Sequence, residues 1–195
     1  MIFNERSMTC PAIRVPRACG LPNDSAYNRE PTQMGWYAMA AQRVANLSVL
    51  DVGCGTGAGL SVLRAGGAKL VEGQDVDPAL EGEGIIISTI DALPAGYADV
   101  VTCIDVIEHV LDDLAFFNNL RRIARRELIV STPNYAVSKS FNSCHAREYR
   151  VTDFARFFKP DVHLVGSADG RVYHAVRNDG SDDTEPHQCG IWRIR

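Results

Sequence analysis

No apolar run in the chain approaches the roughly 20 residues that a membrane-spanning helix needs, so no such span is expected. The first residues, Met1 to Arg6, lack the basic stretch and apolar stretch of a secretory leader. The expected compartment is therefore the cytoplasm. The six cysteines include no Cys-x-x-Cys pair, which removes the usual spacing of a structural zinc site. They are expected to be reduced thiols. A strong excess of positive charge is also missing. Twenty basic residues face 24 acidic ones for a net charge of −4, so phosphate neutralisation is not the overall plan and nucleic acid is not the expected partner. What remains is a globular composition, 46% hydrophobic and 23% charged over 195 residues. A chain of this size buries enough surface to fold without a metal or a disulfide.

Residues 1–30, with Pro11, Pro16 and Pro22, are expected to form an irregular arm. From 31 to 195 the pattern is that of one domain. Met34, Tyr37, Ala38, Ala41, Val44 and Ala45 have the spacing of an amphipathic helix. Short apolar strands then alternate with helices. Strands are predicted at 48–52, 69–74, 85–88, 99–104 and 127–132, with helices at 58–65 and 107–126 and only a turn or two between 78 and 84. Thr152 is expected to cap a helix running to Phe158. Strands at 162–167, 172–177 and 190–194 follow, with a mobile loop expected over 178–188. Continuous apolar strands alternating with helices imply an α/β fold with a mostly parallel sheet covered on both faces. We expect a single Rossmann-like domain with seven strands and an antiparallel C-terminal edge hairpin.

Asp51-Val52-Gly53-Cys54-Gly55-Thr56-Gly57 leaves one predicted strand and enters a helix. Glycines at such a turn allow a tight bend and a close approach of backbone to ligand. Asp75 closes the following strand, where a carboxylate suits two vicinal ribose hydroxyls. With Gly73-Gln74-Asp75 and Ala98-Asp99-Val100-Val101 after it, this order resembles the class I S-adenosylmethionine-dependent methyltransferases over about residues 34–167. The resemblance implies S-adenosyl-L-methionine as cofactor. Its methionine end would meet Asp51 and the Gly53, Cys54, Gly55 and Gly57 loop. Its ribose would meet Asp75, with Val76 beside it. Asp91 is the candidate for the adenine amino group, although it stands closer to Leu93-Pro94 than is usual. Asp105 is a further cofactor candidate. A rival nicotinamide oxidoreductase reading, based on Gly53-x-Gly55-x-x-Ala58 and Tyr135-x-x-x-Lys139, fails on position. Tyr135 directly follows Pro133-Asn134 rather than sitting on a long helix.

On the acceptor side, Asp105-Val106-Ile107-Glu108-His109 follows a strand end, and Asn142-Ser143-Cys144-His145-Ala146-Arg147-Glu148-Tyr149 follows the next. The second run resembles a methyltransferase subgroup associated with glycan modification, with Ser143 where Pro is typical. Histidine titrates near neutral pH and suits removal of a hydroxyl proton. His145 is therefore the candidate base, His109 the reserve, and O-methylation of a sugar-containing or other small polar acceptor the expected activity. No metal is expected. As an alternative, Asp105, Glu108, His109 and His145 resemble the metal-holding set of RNA 3′-terminal ribose 2′-O-methyltransferases. A non-catalytic cofactor-binding subunit is a further alternative. Arg121, Arg122, Arg125 and Arg126 are expected to be a solvated helix end rather than a phosphate site.

Overall fold

The computed structural model describes residues 2–3, 31–139, 144–167, 169–171, 173–177 and 181–195. Most of the expected arm and part of the expected mobile loop therefore lie outside the described residues. In chain order the elements are β1 (Ile2–Phe3), α1 (Pro31–Ala41), β2 (Ser48–Val52), α2 (Ala58–Ala65), β3 (Leu70–Asp75), β4 (Ile85–Ile87), β5 (Ala98–Ile104), α3 (Asp113–Ile123), β6 (Ala124–Pro133), α4 (Tyr135–Ser138), β7 (Arg147–Glu148), α5 (Val151–Phe158), β8 (Val162–Gly166), β9 (Tyr173–Ala175) and β10 (His187–Arg193). The main sheet runs β4-β3-β2-β5-β6-β10-β8-β9. Its first five strands are parallel, while β10 is antiparallel to both neighbours and β9 is antiparallel to β8.

The central strands are apolar on both faces because both faces are covered. Side chains alternate across a strand. Leu50, Val101 and Val130 accordingly face α3 and α5 with Phe117, Leu120, Phe154 and Trp192. Val49, Val100 and Ile129 face α1 and α2 with Trp36, Tyr37, Leu60 and Leu63. Helix α2 stops at Gly66-Gly67, where the Gly66 N–H donates to Val62 O and Gly67 takes a left-handed φ of 81°.

Several expectations change. The sheet has eight strands rather than seven, since all three C-terminal segments join it, with 173–175 as its edge strand beside β8. The antiparallel hairpin at that edge is β8–β9, and β10 fills the gap between β6 and β8. Strand β10 spans 187–193, since its earlier residues pair with Pro133 and Thr132 of β6. The long helix expected over 107–126 breaks into a 3₁₀ turn (Ile107–His109) and α3. The Asp112 side chain caps α3 by accepting from the Ala115 N–H. This break leaves Leu111 and Leu114 exposed, whereas Phe117 and Leu120 are buried as expected. Helix α5 starts one residue early, so Thr152 lies inside it and Arg150 is its cap residue. The short link after β3 is a single 3₁₀ turn, Pro78–Leu80, as the sequence implied. Cys54, Cys103 and Cys189 are free and buried. Cys144 is disulfide-bonded, contrary to the expectation of reduced thiols, and its partner is not among the described residues.

Candidate active site

The glycine loop leaves the carboxyl end of β2. Gly53, Gly55 and Gly57 take φ values of 69°, 57° and 80°, a left-handed backbone that other residues enter at a cost. At Gly53 a Cβ would lie 2.5 Å from Val106 Cγ2, so this residue is also glycine for want of room. At Gly55 no heavy atom would come within 4 Å of a Cβ. At Gly55 the loop therefore presents bare backbone to open space, as a close-lying ligand requires. Asp75 stands at the end of β3 beside it. Asp75 Oδ2 accepts from the Gly55 N–H at 3.0 Å, and Oδ1 accepts from the Val76 and Asp77 N–H groups at 2.7 and 3.1 Å. The carboxylate is thus fixed at the rim of the loop.

The other expected cofactor residues are placed differently. Asp51 is fully buried, and it accepts from the Tyr37 and Thr102 hydroxyls, both at 2.7 Å. It braces the loop from below and ties it to α1. Cys54 is fully buried, with its side chain beneath the loop close to Gly73. The Val76 side chain is exposed. Asp91 is exposed in the first turn of the 3₁₀ segment Ile90–Ala92.

Asp105 follows β5 directly and has a positive φ of 54°, a conformation that costs a non-glycine residue of order 1 kcal/mol or more. It is held by its partners. Ser131 Oγ donates to Asp105 Oδ1 at 2.6 Å, and His187 Nδ1 lies 3.3 Å from Oδ2. Burial works against the charged form of Asp105, but His187, Ser131 and Gln33 outweigh it and hold its pKa down to about 2.

Past Asp105, the Ile107–His109 turn meets the loop that precedes β7. The Ala146 N–H donates to the Glu108 carbonyl at 2.7 Å, which sets His145 beside Glu108. Glu108, His109 and His145 each bring one ligating atom within 4.8 Å of the others. His145 Nδ1 is 2.7 Å from Glu148 Oε1, and His109 Nδ1 is 3.1 Å from the Cys144 carbonyl. A proton on each Nδ1 satisfies these two acceptors and leaves each Nε2 with its lone pair. The rings meet edge to face, with centroids 4.7 Å apart.

Burial raises the Glu108 pKa to about 8, helped by the negative charge of Asp105 and opposed by His145. Burial alone would lower the His145 pKa, but the hydrogen bond to Glu148 and the charge of Glu108 raise it above the ordinary imidazole value. Desolvation and the His145 charge push His109 the other way. The solvent that reaches the exposed residue His109 limits that downward shift.

Sequence reasoning did not find Asp113. Arg147 Nη1 donates to Asp113 Oδ2 at 2.5 Å, and the Tyr149 hydroxyl donates to the same oxygen. The His-x-Arg-Glu-Tyr run thus divides its work. Glu148 orients His145, while Arg147 and Tyr149 pin the loop to the start of α3. Burial, and then the Asp113 hydrogen bond, raise the Tyr149 pKa. The basic cluster was expected to be a solvated helix end, but Arg125 and Arg126 lie in β6, and Arg122 and Arg125 make structural hydrogen bonds. Arg122 donates to the carbonyls of Leu93 and Ile90, and Arg125 to Asp99, Gly96 O and Ser48.

A family model described as a methyltransferase domain matches residues 26–170. The chain is a class I S-adenosylmethionine-dependent methyltransferase. Curated relatives agree. A protein named ubiquinone biosynthesis O-methyltransferase from Burkholderia orbicola is 29% identical over 184 residues, covering 77% of this chain and 78% of that protein. One of the same name from Burkholderia vietnamiensis is 26% identical. Solved structures share the fold. The small RNA methyltransferase HEN1 superposes with a TM-score of 0.65 at 19% identity, covering 84% of this chain, which spans about a quarter of that protein (25%). A methyltransferase from Aquifex aeolicus gives 0.64 at 12% identity, covering 93% of this chain and all of that one (100%). With the family settled, the oxidoreductase and non-catalytic readings give way. The cofactor of this methyltransferase is S-adenosyl-L-methionine, and the bare glycine loop beside Asp75 fits it. Among the described residues no helix is long and apolar enough to cross a membrane.

Proposed function

We propose that this methyltransferase acts on a hydroxyl of a small polar acceptor, sugar-containing in our reading, with His145 removing the hydroxyl proton. The observation that carries this is the buried pair of His145 and Glu148 at 2.7 Å. Glu148 fixes the ring and its tautomer and stabilises the imidazolium, so Nε2 is free of that bond to receive a proton. When bound, S-adenosylmethionine supplies a methyl group on a positively charged sulfur, which an oxygen nucleophile displaces in line. His145 takes the proton that the nucleophile loses, and the acceptor loop holds the oxygen in place. Oxygen as acceptor atom agrees with the name of the curated relatives.

The same reading gives the ribose to Asp75, the methionine end to the backbone of 53–57, and the adenine edge to Asp91. Asp75→Ala removes a charge-assisted acceptor and frees three N–H groups of the loop region. Affinity for S-adenosylhomocysteine is expected to fall more than about tenfold, or roughly 1.5–3 kcal/mol. Calorimetry giving an unchanged affinity would take Asp75 out of the cofactor site.

The convergence of Glu108, His109 and His145 supports a second reading. Two imidazoles whose Nδ1 atoms are tied to acceptors, with a carboxylate beside them, make a donor set that fits a divalent ion. In that reading the acceptor is an RNA 3′-terminal ribose. Asp105, the fourth residue of the resemblance, faces Ser131 and His187 instead. Glu108 can also sit beside His145 without a cation, since its raised pKa lets it hold a proton. The first reading therefore expects turnover to survive EDTA. Activity lost in EDTA and restored by Mn²⁺ or Mg²⁺ would move the assignment to the second.

A further inference from the structure

Four elements meet at Asp105. Asp105 follows β5, Ser131 lies near the end of β6, His187 opens β10, and Thr32 lies in the first turn of α1. His187 bridges the last two to the first. Its Nδ1 is at ion-pair distance, 3.3 Å, from Asp105 Oδ2, and its Nε2 is 3.3 Å from Thr32 Oγ1. Thr32 is buried, and Gln33 beside it also bonds the Asp105 side chain. Nδ1 approaches the carboxylate as an ion-pair partner, and Nε2 shares a hydrogen bond with the threonine hydroxyl. The first turn of α1 is thereby fastened to the carboxyl edge of the sheet, where ligands of parallel sheets sit. The residue after Asp105 is Val106, whose side chain fills the space at Gly53, and Glu108 and His109 follow.

We propose that Thr32, His187 and Asp105 form a latch that holds the first turn of α1 against the cofactor crevice, and that His187 and Thr32 are positioning residues for cofactor retention. Helix α1 is joined to the loop at one further point, since Tyr37 donates to Asp51 beneath the glycines. That bond lies in the following turn of the helix. The latch thus acts with the Gln33 bond to Asp105 at the start of α1, while Tyr37 and the buried Trp36, Met39 and Ala40 hold the rest of the helix. Opening the latch exposes the crevice from the α1 side without unseating the helix, and closing it encloses what has bound.

The test is the release of S-adenosylhomocysteine from the full chain, followed by stopped-flow and calorimetry, so no acceptor is needed. Thr32→Val keeps size and shape and removes only the hydroxyl. His187→Phe removes both ring nitrogens. His187→Gln restores a donor toward Asp105 and an acceptor toward Thr32. We expect Thr32→Val and His187→Phe each to speed release by about fivefold to tenfold, the worth of one hydrogen bond. The double variant should be no faster than His187→Phe alone, because both act through one connection. His187→Gln should return most of the lost retention. Release unchanged in both single variants would overturn the latch. So would effects that add in the double variant, or a loss of thermal stability in His187→Phe with no change in release. Thr32→Val, the milder change, decides the matter if His187→Phe fails to fold.

Discussion

His145→Ala is expected to lower turnover by about 10²–10⁴-fold, the usual cost of losing a general base. Affinity for S-adenosylhomocysteine should stay nearly unchanged, since the glycine loop and Asp75 belong to β2 and β3. The pH profile supplies a second reading of the same group. A general base acts in its neutral form, and the pKa of His145 is raised by Glu148 and Glu108 against the effect of burial. Activity should therefore rise with pH through a midpoint above the ordinary imidazole value of about 6.5. In His145→Ala that limb should vanish. Glu148→Gln should move the midpoint down, because the main group favouring the imidazolium has lost its charge. Full activity in His145→Ala, measured with a competent acceptor, would remove His145 from the chemistry. If His109→Ala then abolished turnover, the base would be His109.

Arg147→Met is expected to destabilise the fold by about 3 kcal/mol, the low end of the range for breaking a buried ion pair. The side chains of Asp113 and Arg147 are 4% and 13% exposed, so the carboxylate left behind keeps little solvent. Tyr149 still donates to it, which is why the low end applies. Urea denaturation should show the midpoint fall with little change in slope. Activity should fall further than stability alone explains, since the same bond carries the loop that presents His145. A shift below about 0.5 kcal/mol, the usual size for an exposed surface change, would mean that Tyr149 alone holds Asp113.

The parallel half of the fold was legible because its strands are buried on both faces and punctuated by glycines. The 53–57 loop, the short turn after β3 and the run of β2, β3 and β5 all follow from local chemistry. The break between the Ile107–His109 turn and α3 was not, because Leu111, Leu114, Phe117 and Leu120 keep helical spacing across it. Only the Asp112 cap marks the true start, and capping aspartates are common. The placement of β10 between β6 and β8 is a long-range pairing that no local window contains. The candidate site was half visible. His145, Glu108 and His109 were named from sequence, but Asp113 and His187 were not. Both act across large separations in the chain, Asp113 on Arg147 and His187 on Asp105. Asp51 was named for the right loop but lies under it, since a fully buried carboxylate and a ligand-facing one look alike in sequence.

The position of β10 also bears on how the site is assembled. The strand that lies between β6 and β8 comes after both β8 and β9 in the chain. As the chain emerges during synthesis, β8 and β9 can form their hairpin before β10, their native neighbour in the sheet, has been made. The gap closes only when β10 arrives, and its opening residue is His187. Closure of the sheet and the contact between His187 and Asp105 are thus one late event, so a partly made chain, with its glycine loop already formed, still lacks the wall that would retain a ligand.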